Sequence, residues 1–121
     1  MTKSILAIDD SKTIRDMLAF TLEDAGYSFT LAEDGQKGLD ALSASSFDVI
    51  ITDINMPVMD GITFIKEARA RPEIKSTPIL VLTTEGSTEV KQQGRAAGAT
   101  GWIVKPFDPD KLISVIQKVS P

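Results

Sequence analysis

The chain of 121 residues is 42% apolar and 25% charged, the composition of a single globular domain with a proper core. It contains no cysteine and no histidine, which excludes disulfides, thiolate catalysis and imidazole chemistry and leaves only hard, oxygen-held cations as metals. The formal net charge of −4 argues against nucleic acid as a partner. The four apolar residues after Ser4 are too few for a signal peptide or membrane span, so a cytoplasmic protein without a membrane partner is expected.

Short apolar runs alternate with segments of helical period, as in βα units around a parallel sheet. The first run, Ile5-Leu6-Ala7-Ile8, stops at Asp9-Asp10. Ile14, Met17, Leu18 and Leu22 then recur at helical spacing and predict a first helix with those residues inward, ending near Ala25-Gly26. A strand is expected around Phe29 to Ala32, and Asp34-Gly35 opens a second helix with Leu39 and Leu42 inward. The third strand is read from Phe47 to Thr52, stopping at Asp53. Asp60 suits the N-cap of a third helix, with Ile62 and Ile65 inward and Pro72 as its stop. Pro78 starts a fourth strand, Ile79 to Leu82, that runs into Thr83.

The fourth helix, about Ser87 to Ala97, is poorly anchored. Gly86 precedes it, Gly94 lies inside it at a cost of about 1 kcal/mol against Ala, and Val90 is its sole large aliphatic residue. Such a segment suits the moving part of a fold. A fifth strand, Trp102-Ile103-Val104, stops at Lys105-Pro106, a bond that could be cis. Asp108 as N-cap, Pro109 at the first helical position and Asp110 start a fifth helix with Leu112, Ile113, Ile116 and Val119 as its buried stripe.

Laid side by side, the strands bring Asp9, Asp10, Asp53, Thr83 and Lys105 to one carboxyl edge, where ligands bind in open α/β sheets. Taken alone, Asp10 or Ser11 could simply cap the following helix. Asp53 weighs toward chemistry, because a lone carboxylate at the end of an apolar strand is desolvated at high cost. A shared Mg²⁺ accounts for all three acids, since that ion takes one or two carboxylates, waters and a phosphate oxygen. With Lys105 as further counter-charge the metal-bound site is near neutral, and a phosphoryl group adds negative charge that the Thr83 hydroxyl can meet. No P-loop, dinucleotide fingerprint or carbohydrate-binding aromatic groove occurs, so a carboxylate nucleophile in phosphoryl transfer is the remaining chemistry.

These residues stand in longer motifs: Ala7-Ile8-Asp9-Asp10-Ser11, Ile51-Thr52-Asp53-Ile54-Asn55-Met56-Pro57, Met59-Asp60-Gly61, Val81-Leu82-Thr83-Thr84-Glu85, and Gly98 through Lys105-Pro106-Phe107. In this order and spacing the chain resembles, over essentially its whole length, the receiver domain of two-component response regulators, and within it the stand-alone chemotaxis regulators of CheY type. The resemblance implies a single receiver domain over residues 1–121, a (βα)5 flavodoxin-like sandwich with parallel strands in the order 2-1-3-4-5. It implies that Asp53 takes a phosphoryl group from a histidine kinase of CheA type. Asp10, Asp53 and the Asn55 carbonyl would hold Mg²⁺, with Asp9 acting largely through water.

Lys105 and Thr83 would contact the phosphoryl oxygens, Trp102 would turn inward as the aromatic switch, and Asn55 and Glu85 would tune the phosphoryl lifetime. The output would be a re-formed surface of helix four, strand five and helix five that binds a flagellar motor switch protein or another downstream protein. A phosphatase is a further partner, the protein is expected as a monomer, and it would catalyse only its own phosphorylation and dephosphorylation. A phosphate sink and a relay intermediate of another pathway stand as alternatives, as does an aspartyl-nucleophile phosphatase of haloacid-dehalogenase type. Against that last reading, Asn55 stands where such enzymes place their second acid. Two positions depart from the family pattern: Trp102 is bulkier than the usual Tyr or Phe, which predicts hindered rotation, and Thr84 adds bulk beside the phosphate. Because the chain ends after the fifth helix, a protein–protein output is expected unless an effector domain is missing.

Overall fold

A computed structural model describes residues 2–84 and 87–121. Five parallel strands, β1 (Ser4–Ile8), β2 (Ser28–Ala32), β3 (Val49–Thr52), β4 (Ile79–Thr83) and β5 (Gly101–Val104), pair in the order β2-β1-β3-β4-β5. Helices α1 (Lys12–Asp24), α2 (Gly35–Ala44), α3 (Gly61–Arg69), α4 (Thr88–Ala97) and α5 (Pro109–Val119) connect and follow them. The architecture is the flavodoxin-like one expected.

The sheet is buried on both faces, so its strands read as continuous apolar runs. Alternate side chains serve opposite layers. Leu6, Ile8, Ile50, Ile79 and Val81 pack with Leu39, Leu42, Phe64 and Ala97 of α2, α3 and α4. Ile5, Ala7, Val49, Ile51, Leu80 and Leu82 pack with Leu18, Leu22, Leu112 and Ile116 of α1 and α5. A short side chain caps each helix: Ser11, Asp34, Asp60, Ser87 and Asp108 all accept an N–H from the first turn. Such caps contribute about 1 kcal/mol each.

Several sequence expectations are corrected. Met17 is exposed, and Thr21 takes the buried place beside Leu18 and Leu22 on α1, because the α1 stripe turns toward α5 and the sheet. Phe47 is buried but precedes β3, which begins at Val49, and β4 begins at Ile79 rather than Pro78. On α3 the largest buried side chain is Phe64, which the sequence reading passed over. Ile62 is only half-buried, because it faces α4 rather than the sheet. Ile113 and Val119 of α5 are likewise half-buried at the margin of the core.

Candidate phosphoacceptor and metal site

Strand register assembles the site. Ile8 on β1 pairs with Thr52 on β3, so the next residues, Asp9 and Asp53, emerge side by side. The ladder continues one step into both: the Asp9 N–H donates to the Ala32 carbonyl and the Asp53 N–H to the Ile8 carbonyl, each at 3.0 Å. Thr83 pairs with Val104, and the Lys105 N–H donates to the Thr83 carbonyl at 2.9 Å, bringing the lysine to the same edge. The following Lys105–Pro106 bond is cis.

Asp9, Asp53 and Thr83 are buried while Asp10 is exposed, so the acids grade from core to solvent. Lys105 Nζ donates to Asp53 Oδ2 at 3.0 Å and stands 2.6 Å from Asp9 Oδ2. The other oxygens of the two acids accept backbone N–H groups, Ser11 on Asp9 at 2.9 Å and Ile54 on Asp53 at 2.7 Å. The contact at Asp9 Oδ2 is an ion pair rather than an aligned hydrogen bond, so this buried oxygen lacks a hydrogen-bond partner among the described residues. Burial pushes the Asp9 carboxyl up from the ordinary aspartate value; Lys105 and the Ser11 N–H oppose this without cancelling it, and the neighbouring Asp53 adds to it. Burial works against the Lys105 ammonium, yet its hydrogen bonding and attraction to Asp9 and Asp53 prevail and raise its pKa.

This donor set fits a hard divalent cation. Carboxylate oxygens of Asp9, Asp10 and Asp53 lie within 4.8 Å of one another, all are oxygen donors, and a single ammonium leaves the cluster electrically underpaired. Asp9 Oδ2 is buried and faces the Lys105 ammonium at 2.6 Å, an acceptor already turned toward positive charge.

The structure brings Asp9, Asp10, Asp53 and Lys105 together and seats Thr83 at the neighbouring strand end. Asn55 is exposed and lines a groove between α3 and α4 with Ile54, Asp60, Ile62 and Val90. Thr84 is exposed at the end of β4, and Glu85 lies outside the described residues. Trp102 is not at the acids; it is half-buried against the core layer of α3 and α4.

Three contributors escaped the sequence reading. Arg15 Nη1 donates to the Asp9 carbonyl at 2.8 Å, and Thr52 Oγ1 donates to the Asp53 carbonyl at 2.9 Å. Gly61 allows the first turn of α3 to lie directly on the Asp53 backbone. Only Gly61 left a signal, as the residue after the Asp60 cap. In the loop between, Val58 sits at φ 69°, bridged by a Met59 N–H to Pro57 carbonyl bond of 2.7 Å. For a β-branched residue that conformation costs about 1–3 kcal/mol and marks a strained turn in the connection from β3 to α3.

Asp9 gives the site a pH signature. Its folded-state pKa is raised, so the metal-free folded protein holds this proton more tightly than the unfolded chain does. The resulting stability is present at low pH and is lost as pH rises through the raised value. Asp9→Asn is therefore expected to stabilise the metal-free protein near neutrality, with the gain vanishing in acid. Urea denaturation of both proteins across pH in a chelating buffer measures this, and a gain independent of pH contradicts it.

The model for "Response regulator receiver domain" matches residues 5–117. The chain is similar to the chemotaxis response regulator CheY4 of Vibrio cholerae, a solved structure with 51% identity and a TM-score of 0.93, covering 98% of this chain and 99% of that one. It is 39% identical over 116 residues to the chemotaxis protein CheY-3 of V. cholerae, covering 95% of this chain and 89% of that protein. The transcriptional regulatory protein FixJ of Bradyrhizobium diazoefficiens is 37% identical over 113 residues, and there the match takes in 93% of this chain but only 54% of the relative. Strand order, acidic edge, lysine and family match agree: the chain belongs to the receiver domains of two-component response regulators.

Proposed function

We propose that this receiver domain is a phosphorylation-dependent switch in which Asp53 accepts the phosphoryl group and the surface of α4, β5 and α5 carries the output. Membership of the family implies a histidine kinase as phosphodonor and a downstream target. The observation that carries the reading is the Asp53 carboxylate, buried at a sheet edge and fixed by the Ile54 N–H and the Lys105 ammonium beside two further acids. A carboxylate oxygen of Asp53 attacks phosphorus, the phosphorus–nitrogen bond of a phosphohistidine breaks, and its electron pair leaves with the imidazole. Lys105 is placed to share its charge with the phosphoryl oxygens as they arrive, and the Thr83 hydroxyl, at the next strand end, is the second contact.

Asp10, Asp53 and the Asn55 carbonyl are the residues to hold Mg²⁺, with Asp9 acting through water. When bound, that ion supplies the charge neutralisation that lets anionic donor and acceptor meet. The chain catalyses only its own phosphorylation and dephosphorylation: an Asn55 amide cannot act as a general acid or base, and Asp60 is committed to capping α3.

The similarity to the chemotaxis response regulator CheY4 supports a chemotaxis output; on that reading a CheA-type kinase is the donor, a flagellar motor switch protein the target and the cytoplasm the compartment. The match to about half of FixJ supports a second reading, in which the same switch serves transcription or a relay. Beryllofluoride or acetyl phosphate with Mg²⁺, followed through Trp102 fluorescence, tests the switch. A Mg²⁺-dependent change is expected in the native protein and its loss in Asp53→Asn. No change in the native protein, with no mass increase after kinase treatment, overturns it. Capture of a motor switch peptide only with beryllofluoride separates chemotaxis from the other outputs.

A further inference from the structure

Trp102 lies on β5, the edge strand, paired with Val81 of β4. Its side chain is half-buried against the core layer of α3 and α4. A bulky indole at this place needs a matching recess, and α4 supplies one. Gly94 is buried on the inner side of α4, and a Cβ built on it would lie 3.0 Å from Cζ3 of Trp102 and 3.8 Å from Cε3. Ile62 Cδ1 of α3, 3.8 Å from the same point, closes the other side. The six-membered edge of the indole thus rests on the bare backbone of Gly94, at a separation that leaves no comfortable room for a methyl group.

Two further observations bear on this contact. Glycine inside a helix lowers helix stability, and α4 tolerates it even though its fully buried residues are confined to Gly94 and Ala97. The Trp102 Nε1 is also buried, with no hydrogen-bond partner among the described residues. A buried donor without a partner disfavours the conformation that buries it, so among the described residues ring packing is what favours the indole in this place. A placement that depends on packing and is opposed by hydrogen bonding is sensitive to a small change in the recess.

We propose that Gly94 is the positioning residue of Trp102, a recess matched to an indole that sets how the aromatic residue divides between its seated and outward rotamers. The link to signalling rests on the switch reading above. Seating is the inward placement that the activated α4–β5 surface uses, so the size of residue 94 tunes how readily that surface forms. The extra bulk of Trp102 is offset by a missing side chain on the facing helix.

The test uses the full chain, whose single tryptophan is Trp102. In Gly94→Ala without any phosphoryl analogue, the indole emission is expected to move to the red and acrylamide quenching to rise about twofold. Unchanged emission and quenching overturn the recess. Thermal unfolding followed by circular dichroism gives a second reading that a purely helical effect cannot reproduce. With Trp102 present, Gly94→Ala lowers Tm by about 3 °C, whereas in a Trp102→Val background the same change raises Tm, because only helix propensity is left. The same sign in both backgrounds contradicts the proposal.

Beryllofluoride titration with Mg²⁺ then examines the regulatory link. Gly94→Ala is expected to need at least threefold more beryllofluoride than the native protein for half-response, and equal midpoints sever the link. A native protein that does not respond at all removes the switch reading instead, while the quenching and Tm comparisons still decide the recess.

Discussion

Replacing Gly61 by alanine is expected to destabilise the protein by about 3 kcal/mol or more, although the change adds one methyl group to an ordinary helix position. In an isolated helix the same substitution would be favourable by about 1 kcal/mol. The reversal comes from the approach of α3 to the site. The Gly61 N–H donates to the Ile54 carbonyl at 2.8 Å, drawing the helix start onto the loop that follows β3. A Cβ there would collide with the Asp53 carbonyl oxygen and lie 2.9 Å from both the Asp53 carbonyl carbon and the Ile54 Cα. These are backbone atoms that cannot rotate aside, so either α3 or the Asp53 segment must move. Urea denaturation measures the loss, and on the proposed switch reading the beryllofluoride response should fall with it, because the displaced backbone carries the Asp53 carboxylate. A loss under about 0.5 kcal/mol would show that the segment yields freely.

The second large effect is expected at Lys105. Lys105→Met removes the ammonium that stands between Asp9 and Asp53, whose side chains are 1% and 7% exposed. Breaking a buried pair from one side leaves uncompensated charge, and a loss of about 3 kcal/mol is expected in metal-free buffer. Mg²⁺ should recover part of that loss, because a cation can take up the charge that the lysine leaves. The same substitution should tighten Mg²⁺ binding, since a competing cation is gone, while it slows phosphorylation by the kinase. Denaturation with and without Mg²⁺ separates these effects. Equal losses in both conditions would mean that the acids do not share a cation site.

Most of the site was legible in the sequence because its residues sit where apolar runs stop. Asp9, Asp53 and Lys105 each follow a buried strand, and parallel pairing brings strand ends to one edge. The helix starts were legible for a similar local reason, since Ser11, Asp60 and Asp108 cap through contacts within a few residues. What escaped depends on contacts between distant segments. Phe64 was passed over on α3 because Ile62 and Ile65 satisfied a helical stripe equally well, and only the position of α4 shows which residue faces the sheet. Arg15 gives no sign in its neighbourhood that its guanidinium reaches the Asp9 carbonyl.

The sequence by itself determined the chemistry of this protein: oxygen ligands and no imidazole or thiolate, acids and a lysine at strand ends, and a thinly anchored fourth helix. Side-chain type and apolar period are local properties, and they suffice for those conclusions. The tertiary structure decided which acid is buried, where the lysine divides its charge, and why two glycines are present. Gly61 admits a helix onto the Asp53 backbone, and Gly94 admits an indole onto a helix. Both are fits between segments far apart in the chain, and a missing side chain acquires its meaning only from the atoms that occupy its place.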